Sequence, residues 1–499
     1  MKAKNTLRYA LLTTLISVAY ILSAQSTFSK LYTSGYSLRD ISYGLVISDD
    51  NITVNAKRSC LVEDNAYISC TTLHQFSYSG EILQTIDFDT LFPEGNNRFL
   101  KFEDKYYLTG HPHYVGQNRP TLLYVFDEDL NLLEQTTIAN DIPGLHTNEG
   151  LVINEDAIYL YGYTVLPSGT QSVITITKLD RLTYDLIWEQ EVPTSHTTNR
   201  MYDLQFTPEG DLAVLRKRNN GVGDNSDPGI DLLLLDTMGN VLQEYFITEY
   251  RVDEFRGLHV DEQGRYYFGT ESFLGEILPE SRGVINQLDA SMDSILWIHR
   301  LPVNRFALRR QYQVRDINQA ANGDLLVCGT TWELSGEGVF STNQTYHGYI
   351  ARISPQGEKR WVRVYQHPSY AQPTDSLGRY RPSFLNKVAE TATGEIVAAG
   401  HVWYDDRQVQ AIPEGAAASH LWLLSVDADG CVAGEECKER VLLDSIGPPD
   451  LSLHIGARWT YEEVDNGYHV EPAVYEIGIL LFSTIPPLSW SKKSREPLT

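Results

Sequence analysis

A short polar turn recurs seven times along the chain, each time between two strand-like runs. Successive turns lie 54, 52, 54, 54, 59 and 71 residues apart, and a period of this size indicates a repeat architecture. A β-rich apolar run follows each turn, for example 158–162 and 325–329, and predicts a buried strand. The turns are anchored at Asp50, Asp104, Asp156, Gly210, Gly264, Gly323 and Gly394.

A second turn signal follows each anchor and is clearest at 235–239 and 426–430. Each unit therefore predicts strand A, a tight turn, strand B, a long loop, strand C, a tight turn and strand D. Four antiparallel strands repeated seven times predict an all-β, seven-bladed β-propeller, because radial stacking buries both faces of every sheet. Three units carry a tryptophan after the second turn that we expect to pack on the next unit: Trp188, Trp297 and Trp361.

The repeat divides the chain into three parts. Residues 1–24 combine basic residues, an apolar stretch and a small residue at Ala24, which predicts a signal peptide rather than a membrane anchor. Residues 25–437 form the predicted propeller, and 438–499 a C-terminal extension of unknown fold. The last blade lacks a local outer strand after Gly430. We expect residues 25–38 to supply that closing strand, since closure removes an exposed sheet edge.

The net charge of the chain makes some classes of binding partner unfavourable. The net charge is -25, and removal of Lys2, Lys4 and Arg8 with the signal peptide makes it -28. Such acidity disfavours nucleic acid and anionic membranes as partners. No apolar segment after the signal peptide is long enough to span a bilayer.

Five cysteines follow the predicted cleavage point, and an oxidising compartment permits disulfides. The candidate pairs are Cys431 with Cys437 and Cys60 with Cys70. The alternative is that either pair stays reduced, because spacing in the sequence does not set the Cα geometry that a disulfide requires. Cys328 lies inside an apolar run and is predicted to be a buried free thiol.

Basic residues stand shortly before the predicted inner strand of nearly every blade. They are Arg39, Arg98, Arg200, Arg256, Arg315 and Lys387, with His146 in the third blade instead. One hypothesis is a positive ring around the mouth of the central channel that binds an anionic ligand, since arginine suits carboxylate, sulfate or phosphate. The alternative is ion pairing between adjacent blades, because Asp203 and Asp316 lie close by in the sequence.

The sequence contains few motifs that would indicate catalysis. The chain has no Gly-x-Ser-x-Gly elbow, no His-Glu-x-x-His motif and no Cys/His cluster with zinc spacing, so neither a metal nor a cofactor is predicted. Six tyrosines at strand spacing suggest either carbohydrate stacking or packing between blades, and packing is favoured. They are Tyr106, Tyr107, Tyr159, Tyr161, Tyr266 and Tyr267.

The signal peptide ending at Ser23-Ala24-Gln25, the acidic propeller and the closing stretch 421–431 together resemble secreted bacterial propeller proteins exported by the type IX secretion system. The resemblance implies a secreted or cell-surface protein. Members of that group usually end in a β-sandwich sorting domain with an Asn-Pro pair near its start. The tail of this chain has no Asn-Pro pair and ends in a basic stretch, 491–495, so periplasmic residence stays an alternative.

The leading hypothesis is a non-enzymatic binding or scaffold propeller. It would recognise a glycan, peptide or protein on the face that carries the long loops, with an anionic glycan or a protein as the expected partner and a monomer as the expected state. One alternative is a lyase or hydrolase acting on acidic polysaccharides, with His111, His113 or His146 transferring protons. A second alternative is a structural cell-surface module.

Overall fold

The computed structural model contains only β-strands as regular elements in the part of the chain that it describes. That part comprises residues 27–32, 41–61, 67–88, 91–92, 99–112, 120–138, 142, 145–166, 172–192, 199–219, 228–247, 257–274, 280–301, 311–334, 344–367, 383–404, 418–433, 458–461, 464–465, 468–469 and 473–476. The predicted signal peptide, Arg39 and Arg98 lie outside the described residues.

Seven four-stranded antiparallel blades follow one another along the chain, as predicted for a seven-bladed β-propeller. The strand before blade 1 is β1 (Phe28–Tyr32). Blade 1 has β2 (Ile41–Ile47), β3 (Ile52–Leu61), β4 (Tyr67–Phe76) and β5 (Ile82–Phe88); after β6 (Leu91–Phe92), blade 2 has β7 (Phe99–Phe102), β8 (Lys105–Pro112), β9 (Thr121–Phe126) and β10 (Leu132–Ile138); blade 3 has β11 (Leu145–Ile153), β12 (Ala157–Val165), β13 (Ser172–Asp180) and β14 (Leu186–Val192).

The remaining blades repeat the same order from inner to outer strand. Blade 4 has β15 (Asn199–Phe206), β16 (Leu212–Asn219), β17 (Pro228–Leu235) and β18 (Val241–Ile247); blade 5 has β19 (Leu258–Val260), β20 (Tyr266–Leu274), β21 (Glu280–Leu288) and β22 (Ile295–Arg300); blade 6 has β23 (Gln311–Gln319), β24 (Leu325–Leu334), β25 (Gln344–Ile353) and β26 (Lys359–Tyr365); blade 7 has β27 (Ser383–Glu390), β28 (Ile396–Tyr404) and β29 (Ala418–Val426).

The N-terminal strand β1 completes blade 7. It pairs antiparallel with β29, from Phe28 opposite Ser425 to Tyr32 opposite Leu421. The indole Nε1 of Trp422 donates a hydrogen bond to the Ser29 hydroxyl over 3.0 Å. The outer strand that the last blade lacks locally is thus provided by the other end of the propeller sequence.

The chain divides into two compact units, and the unit comprising residues 1–335 and 342–444 holds all seven blades. The second unit comprises residues 336–341 and 445–499. Its described strands form two short antiparallel pairs. They are β30 (Arg458–Tyr461) with β33 (Ala473–Glu476), and β31 (Val464–Asp465) with β32 (Tyr468–His469).

The hydrophobic core is divided among the seven interfaces between neighbouring blades. Each interface contains its own cluster of buried apolar side chains. The cluster between blades 7 and 1 includes Phe28 from β1, Leu421 from β29 and Ile52 from β3. The six tyrosines predicted to pack between blades are at most 2% exposed, which confirms packing over stacking on a ligand.

Aromatic side chains of the outer strands pack on a turn of the next blade, as predicted for the tryptophans. Trp297 donates from Nε1 to the Pro355 carbonyl over 3.0 Å, and Trp361 to the Ala428 carbonyl over 3.1 Å. The turn glycines have positive φ angles, and Gly357 lies so close that a methyl group there would be 2.6 Å from the Trp297 ring. These contacts join blade 5 to blade 6 and blade 6 to blade 7.

The structure describes the side chain of only one cysteine in each predicted disulfide, Cys70 and Cys431. Cys70 and Cys431 are disulfide-bonded, but no pairing is seen, because the side chain of Cys60 and all of Cys437 lie outside the described residues. Both pairings therefore stay predictions. Cys328 is a free and fully buried thiol, as expected, and burial raises its pKa.

Gly357→Ala is expected to destabilise the propeller more than Gly394→Ala. Both glycines have positive φ, which costs an L-residue about 1–2 kcal/mol. Only at Gly357 does the new methyl group also meet the Trp297 ring, whereas Gly394 has open space, and overpacking adds about 1–3 kcal/mol. Urea unfolding of both variants measures the difference. Equal losses would contradict the packing argument.

Candidate functional site

Only some of the predicted ligand-binding residues fall within the described part of the chain. Arg39, Arg98 and Arg256 lie outside it, and of Arg200 only the backbone, in β15, is described. The other three residues lie inside inner strands rather than before them, which corrects the sequence-based placement. They are His146 in β11, Arg315 in β23 and Lys387 in β27.

The basic positions in β15, β23 and β27 do not occupy equivalent places in the repeat. A β-bulge interrupts the pairing of each of these inner strands, at Tyr202 in β15, Arg315 in β23 and Asn386 in β27. Arg200 therefore precedes the bulge, Arg315 forms it and Lys387 follows it. Because a bulge changes the alternation of side chains, Arg315 and Lys387 are not equivalent members of one ring.

Lys387 ties blade 7 to blade 6. Its ammonium lies 2.9 Å from Oδ1 of Asp316, and Oδ2 of the same carboxylate accepts the N–H of Val388 over 3.1 Å. Burial alone would lower the pKa of Lys387, but the carboxylates of Asp316 and Asp203 outweigh it and raise that pKa. This contact is an ion pair between adjacent blades, the alternative that the sequence left open.

Asp203 in blade 4 matches Asp316 in blade 6, because its carboxylate also accepts a main-chain N–H from the next blade. It is 3% exposed and accepts hydrogen bonds from the Tyr161 hydroxyl at 3.2 Å and from the N–H groups of Leu204 at 2.9 Å and Leu258 at 3.0 Å. These donors belong to blades 3, 4 and 5. Burial raises the pKa of Asp203. Sequence reasoning missed this role, although Asp203 and Asp316 both stand seven residues before a turn glycine.

The candidate histidines hold main-chain groups. Nε2 of His146 lies 2.5 Å from the Ile142 carbonyl, and its Nδ1 lies 2.8 Å from the Thr164 hydroxyl. Nε2 of His111 accepts the Asn148 N–H over 2.9 Å, and its Nδ1 lies 3.3 Å from a carbonyl. Both rings are buried. Their geometry is that of structural histidines, and His113 lies outside the described residues.

A cluster of four aromatic rings joins blades 6 and 7, and we call it the aromatic patch: Tyr346, Phe384, His401 and Trp403. Phe384 stacks on His401 with centroids 4.6 Å apart and an interplanar angle of 11°. Tyr346, from the neighbouring blade, stacks on Phe384 at 5.5 Å. Trp403 lies 6.2 Å from both Phe384 and His401. All but His401 are partly exposed.

The patch lies toward the face of the propeller that carries the long connections. Tyr346 stands near the start of β25, Phe384 near the start of β27 and Trp403 near the end of β28. Those strand ends join the B-to-C and D-to-A connections, and we call this surface the long-loop face. The opposite surface, formed by the A-to-B and C-to-D turns, is the short-turn face.

Charge and hydrogen bonding fix the centre of the patch. Burial, followed by the positive charge of Arg315, lowers the pKa of His401 to about 3. Its Nδ1 lies 3.3 Å from the side-chain amide of Asn386, which also donates to the Ser42 carbonyl of blade 1 over 2.9 Å. His401 is therefore neutral at physiological pH and acts as an uncharged ring. Arg315 supplies a nearby positive charge.

The sequence gives no signal for this patch, because it forms only where β25 of blade 6 packs against the hairpin of β27 and β28 in blade 7. Only Arg315, beside it, was among the predicted binding residues. Within the described ranges, no group of three or more His, Cys, Asp or Glu side chains could hold a metal ion. The described residues also include no helix with the length and hydrophobicity needed to cross a membrane.

Solved structures match this chain at low similarity. The β-propeller domain of the trilobed protease from Pyrococcus furiosus is 10% identical, covering 74% of this chain and 93% of that one, with a TM-score of 0.41. An endo-arabinase from Bacteroides thetaiotaomicron is 13% identical, covering 66% and 92%, with a TM-score of 0.31. A Dyadobacter fermentans protein of unknown function is 9% identical, covering 80% and 98%, with a TM-score of 0.40.

Similarities at this level carry no argument about activity or ligand. No protein-family profile matches the sequence, and no curated protein sequence matches it.

Asp316→Ala is expected to lower the free energy of unfolding by about 3–5 kcal/mol, because it leaves the buried Lys387 ammonium without its carboxylate partner. Adding Lys387→Met should restore part of that loss, since the second change removes the charge. Urea unfolding of the wild type, both single variants and the double variant measures the coupling. Strictly additive losses would contradict the ion pair as the tie between these blades.

Stability is expected to fall as the pH drops below about 6.5. Burial lowers the pKa of His401 to about 3 and that of His74 to about 4, whereas in the unfolded chain histidine titrates near about 6.5. Between these pKa values only the unfolded chain binds the proton. Each histidine therefore lowers the free energy of unfolding by about 1.4 kcal/mol for every pH unit that the pH falls. Unfolding of His401→Phe from pH 7 to 4 should show a shallower slope than wild type. Identical slopes would contradict burial of a neutral ring.

Proposed function

We propose that this protein is a secreted or periplasmic propeller that binds a glycan, peptide or protein partner on its long-loop face without catalysing a reaction on it. A glycan is the favoured partner. The observation that carries the proposal is the aromatic patch, a partly exposed set of stacked rings at the junction of blades 6 and 7.

The lengths of the connections also favour the long-loop face as the binding surface. The chain passes from Tyr365 at the end of β26 to Ser383 at the start of β27, and from Tyr404 to Ala418 between β28 and β29. On the short-turn face, the same blade turns between Asp427 and Cys431. Long connections gathered on one face of a rigid scaffold are a common location for binding.

The chemistry of the patch suits a sugar. Aromatic faces offer a broad apolar surface with a defined orientation, and Tyr and Trp add a polar edge. Arg315 beside the patch adds a charge of the sign that attracts a carboxylate or sulfate, and its fork geometry favours planar anions. A protein partner is also compatible, because Trp, Tyr and Arg dominate the energetics of protein interfaces.

The described histidines support binding rather than catalysis. Both His111 and His146 use their ring nitrogens to hold neighbouring main-chain or hydroxyl groups. A residue committed in this way is poorly placed to shuttle a proton to a substrate, because a general acid or base must reach the reacting group.

A glycan array with neutral and acidic sugars tests the proposal. We expect wild-type protein to bind, Trp403→Ala and Tyr346→Ala to weaken binding about tenfold or more, and Arg315→Gln to weaken binding of acidic glycans selectively. Met238→Ala, which changes an exposed side chain on the short-turn face, is the matched control and should bind as wild type does.

Three outcomes would contradict parts of this proposal. Binding that the patch variants retain in full would place the site elsewhere, and the absence of binding to any glycan would reject a glycan as partner. Turnover of a bound polysaccharide would contradict the non-enzymatic assignment.

A further inference from the structure

A cavity of about 390 Å³ occupies the centre of the ring. All seven inner strands contribute to its lining, from Gly44 and Leu45 of β2 to Lys387 and Val388 of β27. Ligand pockets in proteins range from about 300 to 1,000 Å³, so this cavity is of a size that suits a small molecule. It is distinct from the aromatic patch, none of whose residues lines it.

The lining is polar on one side and apolar on another. Three consecutive blades place a neutral hydrogen-bonding side chain at the same repeat position, five residues before the turn glycine. We call these residues the polar wall: Gln205, His259 and Asn318. All three are partly exposed. Blades 1 to 3 line the cavity with Leu45, Phe99 and Val152.

The charged groups in the cavity are engaged by the fold. Lys387 forms an ion pair with Asp316 and Lys101 with Glu128, and Asp203 accepts three hydrogen bonds from three blades. In the polar wall, Asn318 donates to the Val388 carbonyl at 3.4 Å and accepts the Gln319 N–H over 2.8 Å. The His259 ring has a hydrogen bond with the side chain of Gln319, while its Nε2 is buried with no hydrogen-bond partner within the described residues. Burial lowers the pKa of His259, so its ring is neutral.

The geometry points to the central cavity as a second ligand site, for a small neutral polyhydroxylated molecule such as a single sugar residue. Amide and imidazole side chains donate to and accept from hydroxyl groups without requiring a charged ligand. The apolar side accommodates the C–H face of a sugar ring, while the polar wall orients its hydroxyl groups. An apolar pocket with a few convergent polar groups is the usual composition of a small-molecule site.

Calorimetric titration of the mature protein with free D-glucose, D-galactose, D-mannose and L-arabinose tests the inference. We expect saturable one-to-one binding of at least one of these sugars. Gln205→Leu and His259→Leu should each weaken it about fivefold or more, because each removes hydrogen bonds to the sugar. The matched control is Gln243→Leu, which changes an amide on the outer strand β18.

Further variants separate this site from the long-loop face. Trp403→Ala should leave monosaccharide binding unchanged even if it abolishes binding on the glycan array. Thermal unfolding shows whether each variant is folded, and the partly exposed Gln205 gives a usable result if His259→Leu does not fold. Absence of saturable binding of all four sugars, or equal affinity in wild type and Gln205→Leu, would overturn the inference.

Discussion

Packing between neighbouring blades is the interaction on which the rest of the structure depends. A four-stranded sheet has two apolar faces, and here each face meets the next blade, so that seven separate clusters form one closed ring. The ring closes at the interface between blades 7 and 1, and radial closure leaves only short, protected sheet edges. Phe28 of the N-terminal strand lies in that interface, and therefore pairing of β1 with β29 both completes a blade and buries the final cluster.

Polar contacts near the centre also join neighbouring blades, through hydrogen bonds with defined geometry. Asp203 and Asp316 occupy the same repeat position, and each carboxylate accepts a main-chain N–H from the inner strand of the following blade. A buried carboxylate is tolerated because its oxygens are satisfied. Lys387, which the sequence analysis predicted as a ligand-binding residue, is instead paired with Asp316. The proposed binding groups are the stacked rings with Arg315 beside them on one face, and the amide and imidazole groups in the centre.

The two proposed binding surfaces rest on rigid strands, which hold side chains in place more firmly than loops do. The aromatic patch spans the junction of blades 6 and 7, beside the longest connections of the described strands. The polar wall belongs to blades 4, 5 and 6 and faces the cavity. A large ligand such as a glycan chain suits the first surface, and a small molecule suits the second.

The sequence alone determined the repeat, the strand order and the number of blades, because turn chemistry and alternation of apolar residues are local properties of the chain. It also identified Trp297 and Trp361 as contacts to the next blade, since their spacing from the turn recurs. The tertiary structure alone decided which side chains meet. A single-residue bulge moved Arg315 and Lys387 out of equivalence, and the docking of blade 6 on blade 7 stacked Tyr346 on Phe384. Such contacts depend on how blades dock against one another, and no local pattern records that geometry.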